Sequence, residues 1–405
     1  MTFKTASQHI ERTYQVPDTF SPTDYQHMSR AIQLARHGKW TALPNPLVGC
    51  VIVKEGKVVG EGWHEKAGEA HAEIHALHQA GPDAKNATVY VTLEPCSHFG
   101  RTPPCANALV NAGVSRVIAA MCDPNPVVLG RGFGRLRHQG IGVAHGLLEK
   151  EARALNRGFI KRMETGRPFV RAKLAMSLDG RTAMASGESQ WITGPDARSQ
   201  GQQLRAASCA IVTGVSSVLA DDSALTLRER ELGLPNAAAI VTRQPLRVVL
   251  DSLLRTPPSA KVVTGPGQCL IVTTEQASAK KRARLETAGA EIWVQKTLSQ
   301  GRVDLSAVMD ELGRRGCNEV LVEAGATLAG AMLSERLLDE VTVFMAPVLM
   351  GSRARPLFQL PFDTMAQKQP LRITEIRPVG KDWRIIAVPV KEGGVKNLTD
   401  NYSVT

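Results

Sequence analysis

Residues 71–105 read HAEIHALHQAGPDAKNATVYVTLEPCSHFGRTPPC, and the rest of the chain is organised around them. His71, Cys96 and Cys105 are three side chains of the kind that hold an open tetrahedral zinc, leaving a fourth position for water. Zinc lowers the pKa of that water to about 7. Glu73, two residues after the histidine, then has the task of moving its proton. Ile74, Ala76, Leu77 and Ala80, with Gly81 behind them, predict a short helix starting near His71. Residues two apart on a helix point about 200° from each other. His71 and Glu73 therefore converge only if the metal lies off the helix N-terminus, where the dipole also favours a thiolate. Cys105 precedes a second helical stretch, 106–112, so two helix N-termini can face one ion.

A His-x-Glu followed by Pro-Cys and a second cysteine is the signature of zinc deaminases acting on amino-bearing bases. The common form has two residues between its cysteines; here there are eight, Ser97 to Pro104. They predict a loop, and His98 inside it is a rival third ligand. Taken singly, each cysteine reads as a buried core thiol. The upstream His-x-Glu and the strand-end Pro-Cys favour the metal.

The chain's 405 residues allow two or three domains, and 43% hydrophobic with 21% charged residues is a globular composition. No apolar run reaches the roughly 18 residues of a membrane span, and residues 1–22 carry no signal-peptide core. Seven irregularly spaced cysteines point to a reducing, cytoplasmic setting rather than a disulfide framework. A net charge of +11 favours anionic ligands, phosphorylated small molecules or nucleic acid. All ten histidines lie between His9 and His145. Proton chemistry in the second half must use Asp, Glu, Lys, a substrate group or water.

In the first half, strands at 50–53, 58–63, 87–93, 115–120 and 141–144 alternate with helices at 25–37, 71–80, 106–112 and 131–139. One amphipathic, basic helix follows over 147–163 and runs into Thr165-Gly166-Arg167-Pro168. The alternation predicts an α/β sandwich. Pro44-Asn45-Pro46 and Asp123-Pro124-Asn125-Pro126 are rigid polar loops at strand ends. The Asn45 amide can read a heterocycle edge or simply make a turn. His64 stands at another strand end. In the second half, strands are expected at 169–176, 210–213, 247–250, 269–273, 291–294, 319–323, 341–346 and 383–390. Helices are expected at 195–207, 277–288 and 305–315, with a short one ending at Leu219. Glu323-Ala324-Gly325 opening a helix through Gly330 is a strand, glycine turn and helix start, which offers free N–H groups to a phosphate. It serves equally as a structural turn. The expected division is an extension over 1–22, domains over 23–165 and 166–391, and a loose tail over 392–405.

Taken together, PNPLVGCVIV, HAEIHAL, TLEPCSHFGRTPPC, DPNP, SLDGRTAMASGESQWITG, LADDSALT and VEAGATLAG, in this order over residues 24–390, resemble the bifunctional riboflavin-biosynthesis deaminase–reductases. The resemblance implies an α/β chain: a cytidine-deaminase-like α/β/α sandwich, then a domain similar to dihydrofolate reductase. The long cysteine spacing is that family's, which sets His98 aside. It implies zinc on His71, Cys96 and Cys105, Glu73 as proton shuttle, and deaminase substrate contacts at Asn45, His64, Arg101, Asp123 and Asn125. It implies NADPH along Ala175, Trp191, Ser217, Asp221, Ser252 and the run Gly325, Ala326, Thr327, Leu328, Ala329, Gly330 and Ala331. Reductase substrate contacts fall to Ser189, Arg205, Leu225, Arg228 and Glu323; the arginines suit a phosphate, which a guanidinium fork grips bidentately. The implied reactions are hydrolytic deamination of a phosphoribosylamino-pyrimidine, then NADPH-dependent reduction of its ribosyl group to ribityl. The implied assembly is a homodimer built through the reductase half.

Two other readings fit parts of the sequence. A nucleic-acid deaminase with a basic accessory domain would use the positive charge, but four Tyr and nine Phe leave few stacking platforms. A non-catalytic metal scaffold would give Glu73 no task. Neither nucleic acid nor membrane is an expected partner.

Overall fold

In the computed structural model, residues 20–97, 104–126, 128–298 and 301–390 are described. The chain divides into two compact units, one ending at Arg167 and the other beginning at Pro168. The expectations of a loose start and tail fall almost wholly outside the described residues, as do His98 and Arg101.

The first unit contains β1 (Gly49–Lys54), β2 (Lys57–Trp63), β3 (Thr88–Val91), β4 (Arg116–Ala119) and β5 (Gly142–His145). They form one sheet in the order β2-β1-β3-β4-β5. β1 pairs antiparallel with β2 and β3, whereas β3, β4 and β5 run parallel. Glu55 and Gly56, at φ 48° and 78°, make the left-handed two-residue turn between β1 and β2. Successive strand residues point to opposite faces, so Cys50 and Ile52 pack with Ala76, Leu109 and Phe133, while Val51 and Val53 pack with Met28, Ile32 and Phe159. Three helices on one face (Ala72–Ala80, Cys105–Asn111, Arg131–His138) and three on the other (Pro22–Ala35, Glu149–Leu155, Arg157–Thr165) complete an α/β/α sandwich.

Two expectations about this unit need correction. The first helix starts at Pro22, not Tyr25, because Ser21 and Asp24 form a capping box: Ser21 Oγ accepts from the Asp24 N–H and the Asp24 carboxylate accepts from the Ser21 N–H. The expected single helix over 147–163 is two, broken at Asn156. That side chain, 4% exposed, turns aside to accept from the Leu47 N–H (2.7 Å) and donate to the Leu47 carbonyl (2.9 Å). Asparagine competes well for backbone groups in this way, and here it braces the loop that carries Asn45.

The second unit contains β6 (Phe169–Ser177), β7 (Arg181–Ala183), β8 (Ala210–Gly214), β9 (Leu246–Leu250), β10 (Cys269–Thr274), β11 (Glu291–Gln295), β12 (Glu319–Val322), β13 (Glu340–Ala346), β14 (Arg355–Pro356), β15 (Leu371–Val379) and β16 (Asp382–Pro389). Nine of these make one sheet, β11-β10-β9-β8-β12-β6-β13-β16-β15. It is parallel from β11 to β13 and antiparallel through β16 and β15. Helices Leu305–Arg314 and Ala326–Ser334 cover one face, and Ala279–Thr287 with the short helix Val215–Asp221 covers the other. The sequence reading missed β15, a largely exposed edge strand whose apolar residues do not alternate cleanly, and the small β7–β14 pair.

Candidate active sites

The first site is built at one edge of the five-stranded sheet. β3 and β4 end there, β1 begins there, and β2 delivers His64 there. Ligands bind in α/β sheets at this carboxyl edge. Helix Ala72–Ala80 lies close on β2: a Cβ at Gly60 would stand 2.1 Å from the Ala76 carbonyl oxygen, and one at Gly62 2.4 Å from that of Ala72. Its extended N-cap is His71, and Cys105 is the first residue of helix Cys105–Asn111. Two helix starts do converge, as the spacing predicts.

His71 Nδ1 lies 3.3 Å from Cys105 Sγ and 3.7 Å from Cys96 Sγ. The Cys105 N–H donates to Cys96 Sγ at 3.3 Å. One ligand atom from each of the three residues lies within 4.8 Å of the others, a spacing and donor set that suit tetrahedral zinc. Hydrogen bonding from Cys105 and His71 lowers the Cys96 thiol to about 4 against the cost of burial, while Cys105, the partner that keeps its proton, is raised. Glu73 is 3% exposed, and burial together with the nearby Cys96 sulfur pushes its carboxyl up to about 7. A bound dication draws such a group back down.

His64 is buried, and its ring lies edge-on to that of His71, centroids 5.4 Å apart. Its Nδ1 meets the Ala70 carbonyl at 3.0 Å and its Nε2 meets Asn45 Nδ2 at 3.0 Å. A carbonyl only accepts, so Nδ1 carries the proton and Nε2 accepts from the Asn45 amide. Asp123 is 6% exposed and raised to about 7, chiefly by burial. Its Oδ1 accepts from the Asn125 N–H at 2.8 Å, and its own N–H donates to Glu94 Oε2 at 3.2 Å.

The second site is a cavity of about 1070 Å³ in the second unit. It collects Ala175, Ser189, Arg205, Ser217, Asp221, Leu225, Ser252, Glu323, Gly325, Ala326, Thr327, Leu328 and Ala331 on its walls. Five expected residues fare differently. Ala329 is fully buried, and Gly330 lies so close to the Gln359 backbone that a Cβ would stand 2.1 Å from its carbonyl oxygen. Both are on the inward face of their helix and pack rather than line. Trp191 is 65% exposed, with the Arg198 guanidinium 4.6 Å from its ring centroid. Arg228 pairs with Glu231 at 2.7 Å and is not on the wall. Arg205 is on the wall, but its fork is not open to a phosphate. Nε and Nη2 hold the two Glu323 oxygens at 2.6 and 2.9 Å, and Nη1 donates to the Thr226 carbonyl. Burial alone would raise Glu323; Arg205 outweighs it and holds the carboxyl low.

Lys173 on β6 also lines this cavity, and the sequence reading passed over it. Burial lowers its ammonium pKa, Glu323 opposes the shift and Arg205 adds to it. The available signal was Arg171 and Lys173 alternating with apolar Val170, Ala172 and Leu174, since buried parallel strands are normally apolar on both faces.

The fold and the two sites define a class: a zinc-dependent deaminase of the cytidine-deaminase type, followed by a reductase that binds a dinucleotide. Residues 21–121 match the family model for the cytidine and deoxycytidylate deaminase zinc-binding region, and residues 168–385 that for the RibD C-terminal domain. The chain is 52% identical over 363 residues to riboflavin biosynthesis protein RibD of Escherichia coli, covering 89% of this chain and 97% of that one. It is 46% identical to the Haemophilus influenzae protein of the same name, covering 91% and 98%. The structure of Acinetobacter baumannii RibD superposes with a TM-score of 0.84 at 44% identity, covering 91% of this chain and 99% of that one. A Thermotoga maritima diaminohydroxyphosphoribosylaminopyrimidine deaminase/5-amino-6-(5-phosphoribosylamino)uracil reductase gives a TM-score of 0.78 at 29% identity, covering 91% and 99%. The chain belongs to the RibD family, the bifunctional zinc-dependent deaminases and NADPH-dependent reductases of riboflavin biosynthesis.

Proposed function

We propose that the first unit deaminates a phosphoribosylamino-pyrimidine and that the second reduces the ribosyl group of the product to ribityl. The observation that carries the first half is the meeting of His71, Cys96 and Cys105 within 4.8 Å, beside a glutamate buried to 3%. These three side chains would hold zinc, which would lower the pKa of its bound water to about 7. Glu73 takes the proton from the attacking water as its oxygen bonds to the ring carbon, then passes a proton to the amine nitrogen. The C–N bond breaks and ammonia leaves. Asn45, fixed through its amide nitrogen by His64, keeps its oxygen for a ring N–H. Asp123 and Asn125 supply the opposite edge.

In the second unit Ala175, Ser217, Ser252 and the 325–328 turn would hold NADPH, which would supply a hydride to C1 of the ribose. The bond from C1 to the ring oxygen opens, and that oxygen must gain a proton. Among the described residues Lys173 is the one lysine on the cavity wall and would supply that proton, and Glu323, aligned by Arg205, would meet the sugar hydroxyls. Placing the nicotinamide against C1 is positioning work.

Incubating the protein with the diamino-pyrimidine phosphoribosyl compound, with and without NADPH, tests both halves. General acid/base catalysis contributes about 10²–10⁴-fold, so Glu73→Gln should lose that much ammonia release while keeping zinc. It should still oxidise NADPH on the deaminated intermediate. Loss of both activities in a folded Glu73→Gln protein would replace two sites by one.

A cytoplasmic homodimer completes the proposal. Leu371, Ile373 and Ile376 on the edge strand β15, with Trp383 on β16, leave an apolar border 42–56% exposed, which supports pairing of two copies there. Sedimentation should give twice the 43.7 kDa chain mass; a monomer at micromolar concentration rules the pairing out. Among the described residues no helix is long and apolar enough to cross a membrane.

A further inference from the structure

We propose that Glu94 is a positioning residue for the deaminase: its carboxylate clamps the backbone at Asp123 and at Gly130, Gly132 and Phe133 against the metal-ligand turn and so sets where Asp123 and Asn125 meet the substrate. This rests on the reading of those two residues as substrate contacts.

Glu94 follows β3, two residues before Cys96, and is 3% exposed. Its Oε2 accepts from the backbone N–H groups of Asp123 (3.2 Å) and Gly130 (3.0 Å). Its Oε1 accepts from those of Gly132 (3.0 Å) and Phe133 (3.3 Å). Among the described residues no Lys, Arg or His forms an ion pair with it. The buried carboxylate is met by backbone donors, all from one segment. Hydrogen bonds to a carboxylate are about twice as strong as neutral ones, so the segment is held at both ends: by Asp123 just beyond β4, and by the first turn of helix Arg131–His138.

The backbone is shaped for this contact. A Cβ at Gly132 would stand 2.0 Å from the Pro95 carbonyl oxygen and 3.2 Å from Glu94 Oε1. Only glycine lets the helix start come near enough to donate. Asp123 then passes the constraint on, its Oδ1 accepting from the Asn125 N–H at 2.8 Å. One side chain therefore ties the Pro95-Cys96 turn to the loop bearing both proposed contacts.

Glutamine has the same shape but one oxygen and one NH₂. With its NH₂ at the Oε2 position it faces the Asp123 and Gly130 N–H groups and frees Asp123; at the Oε1 position it faces those of Gly132 and Phe133 and loosens the helix start, so two of the four bonds are lost either way. Full-length Glu94→Gln and Glu94→Asp are assayed beside Asn125→Ala for zinc content, for ammonia release against pyrimidine concentration, and for NADPH oxidation on the deaminated intermediate. Glu94→Gln should keep zinc and the reductase rate, and raise the KM for deamination about tenfold with a smaller fall in kcat. Glu94→Asp, which keeps the charge, should recover part of that KM. A normal KM in Glu94→Gln beside a raised one in Asn125→Ala overturns the clamp. A normal KM in Asn125→Ala instead sinks the underlying contact reading. Zinc lost from both Glu94 variants makes the residue a support of the fold and also overturns the proposal. If Glu94→Gln does not fold, Glu94→Asp decides by the same KM criterion.

Discussion

Lys173 and Arg205 show how a residue's partners decide its role. Arg205 carries the planar fork suited to a phosphate, but in this structure the fork is filled by Glu323. Its service is to hold that carboxylate charged and in place. Burial lowers the Lys173 pKa, with Glu323 opposing the shift and Arg205 adding to it. If it donates the proton in the reduction, its protonated form is the active one. The rate is then full below its pKa and falls as pH rises through it. That limb should lie below the ordinary lysine value of about 10.4. Lys173→Met should remove the limb and lower kcat for reduction about 10²-fold or more, with ammonia release unchanged. An identical alkaline limb in Lys173→Met would place the donor elsewhere.

At the scale of elements, the deaminase site depends on how closely helix Ala72–Ala80 lies on β2. Gly62→Ala would put a methyl 2.4 Å from the Ala72 carbonyl and 2.6 Å from the His75 Cβ. Overpacking of this kind costs about 1–3 kcal/mol. Because His71 caps that helix, we expect weaker zinc binding as well as lower stability, read by zinc titration and denaturant unfolding. Wild-type zinc affinity in Gly62→Ala would show that the helix start tolerates the shift. The same contacts explain what could be read from sequence. The helix, its start and the His–Cys–Cys set are written in local pattern: apolar spacing, a terminal glycine, a strand-end Pro-Cys. The break at Asn156 answers to Leu47, 109 residues away, and Glu94 is explained only by amides 29 to 39 residues downstream. Local periodicity carries no trace of partners that distant. Ala329 and Gly330 differ for another reason: the resemblance implies an unbroken lining over 325–331, whereas a helix turns every second or third residue away from a ligand.

At the scale of the molecule, the two chemistries draw on different residue types. All ten histidines precede Gly146, and the second unit has none. Stripping zinc with a chelator should stop ammonia release and leave NADPH oxidation on the deaminated intermediate intact; re-adding zinc should restore the first. If both activities fell and recovered together, the reductase would depend on the metal, contrary to the separation proposed.

The arrangement around His64 has a spectroscopic consequence. Its proton sits on Nδ1, bonded to the Ala70 carbonyl, while Nε2 is a bare lone pair held by Asn45. Free imidazole exchanges its proton between the two nitrogens and averages them. Here the ¹⁵N resonances should stay split, one of them pyrrole-like and the other pyridine-like. Burial lowers this histidine's pKa, so the splitting should persist as acid collapses the signals of exposed imidazoles. The pyridine-like line then becomes a reporter of the Asn45 amide, shifting when a base occupies the site and before any ammonia has left.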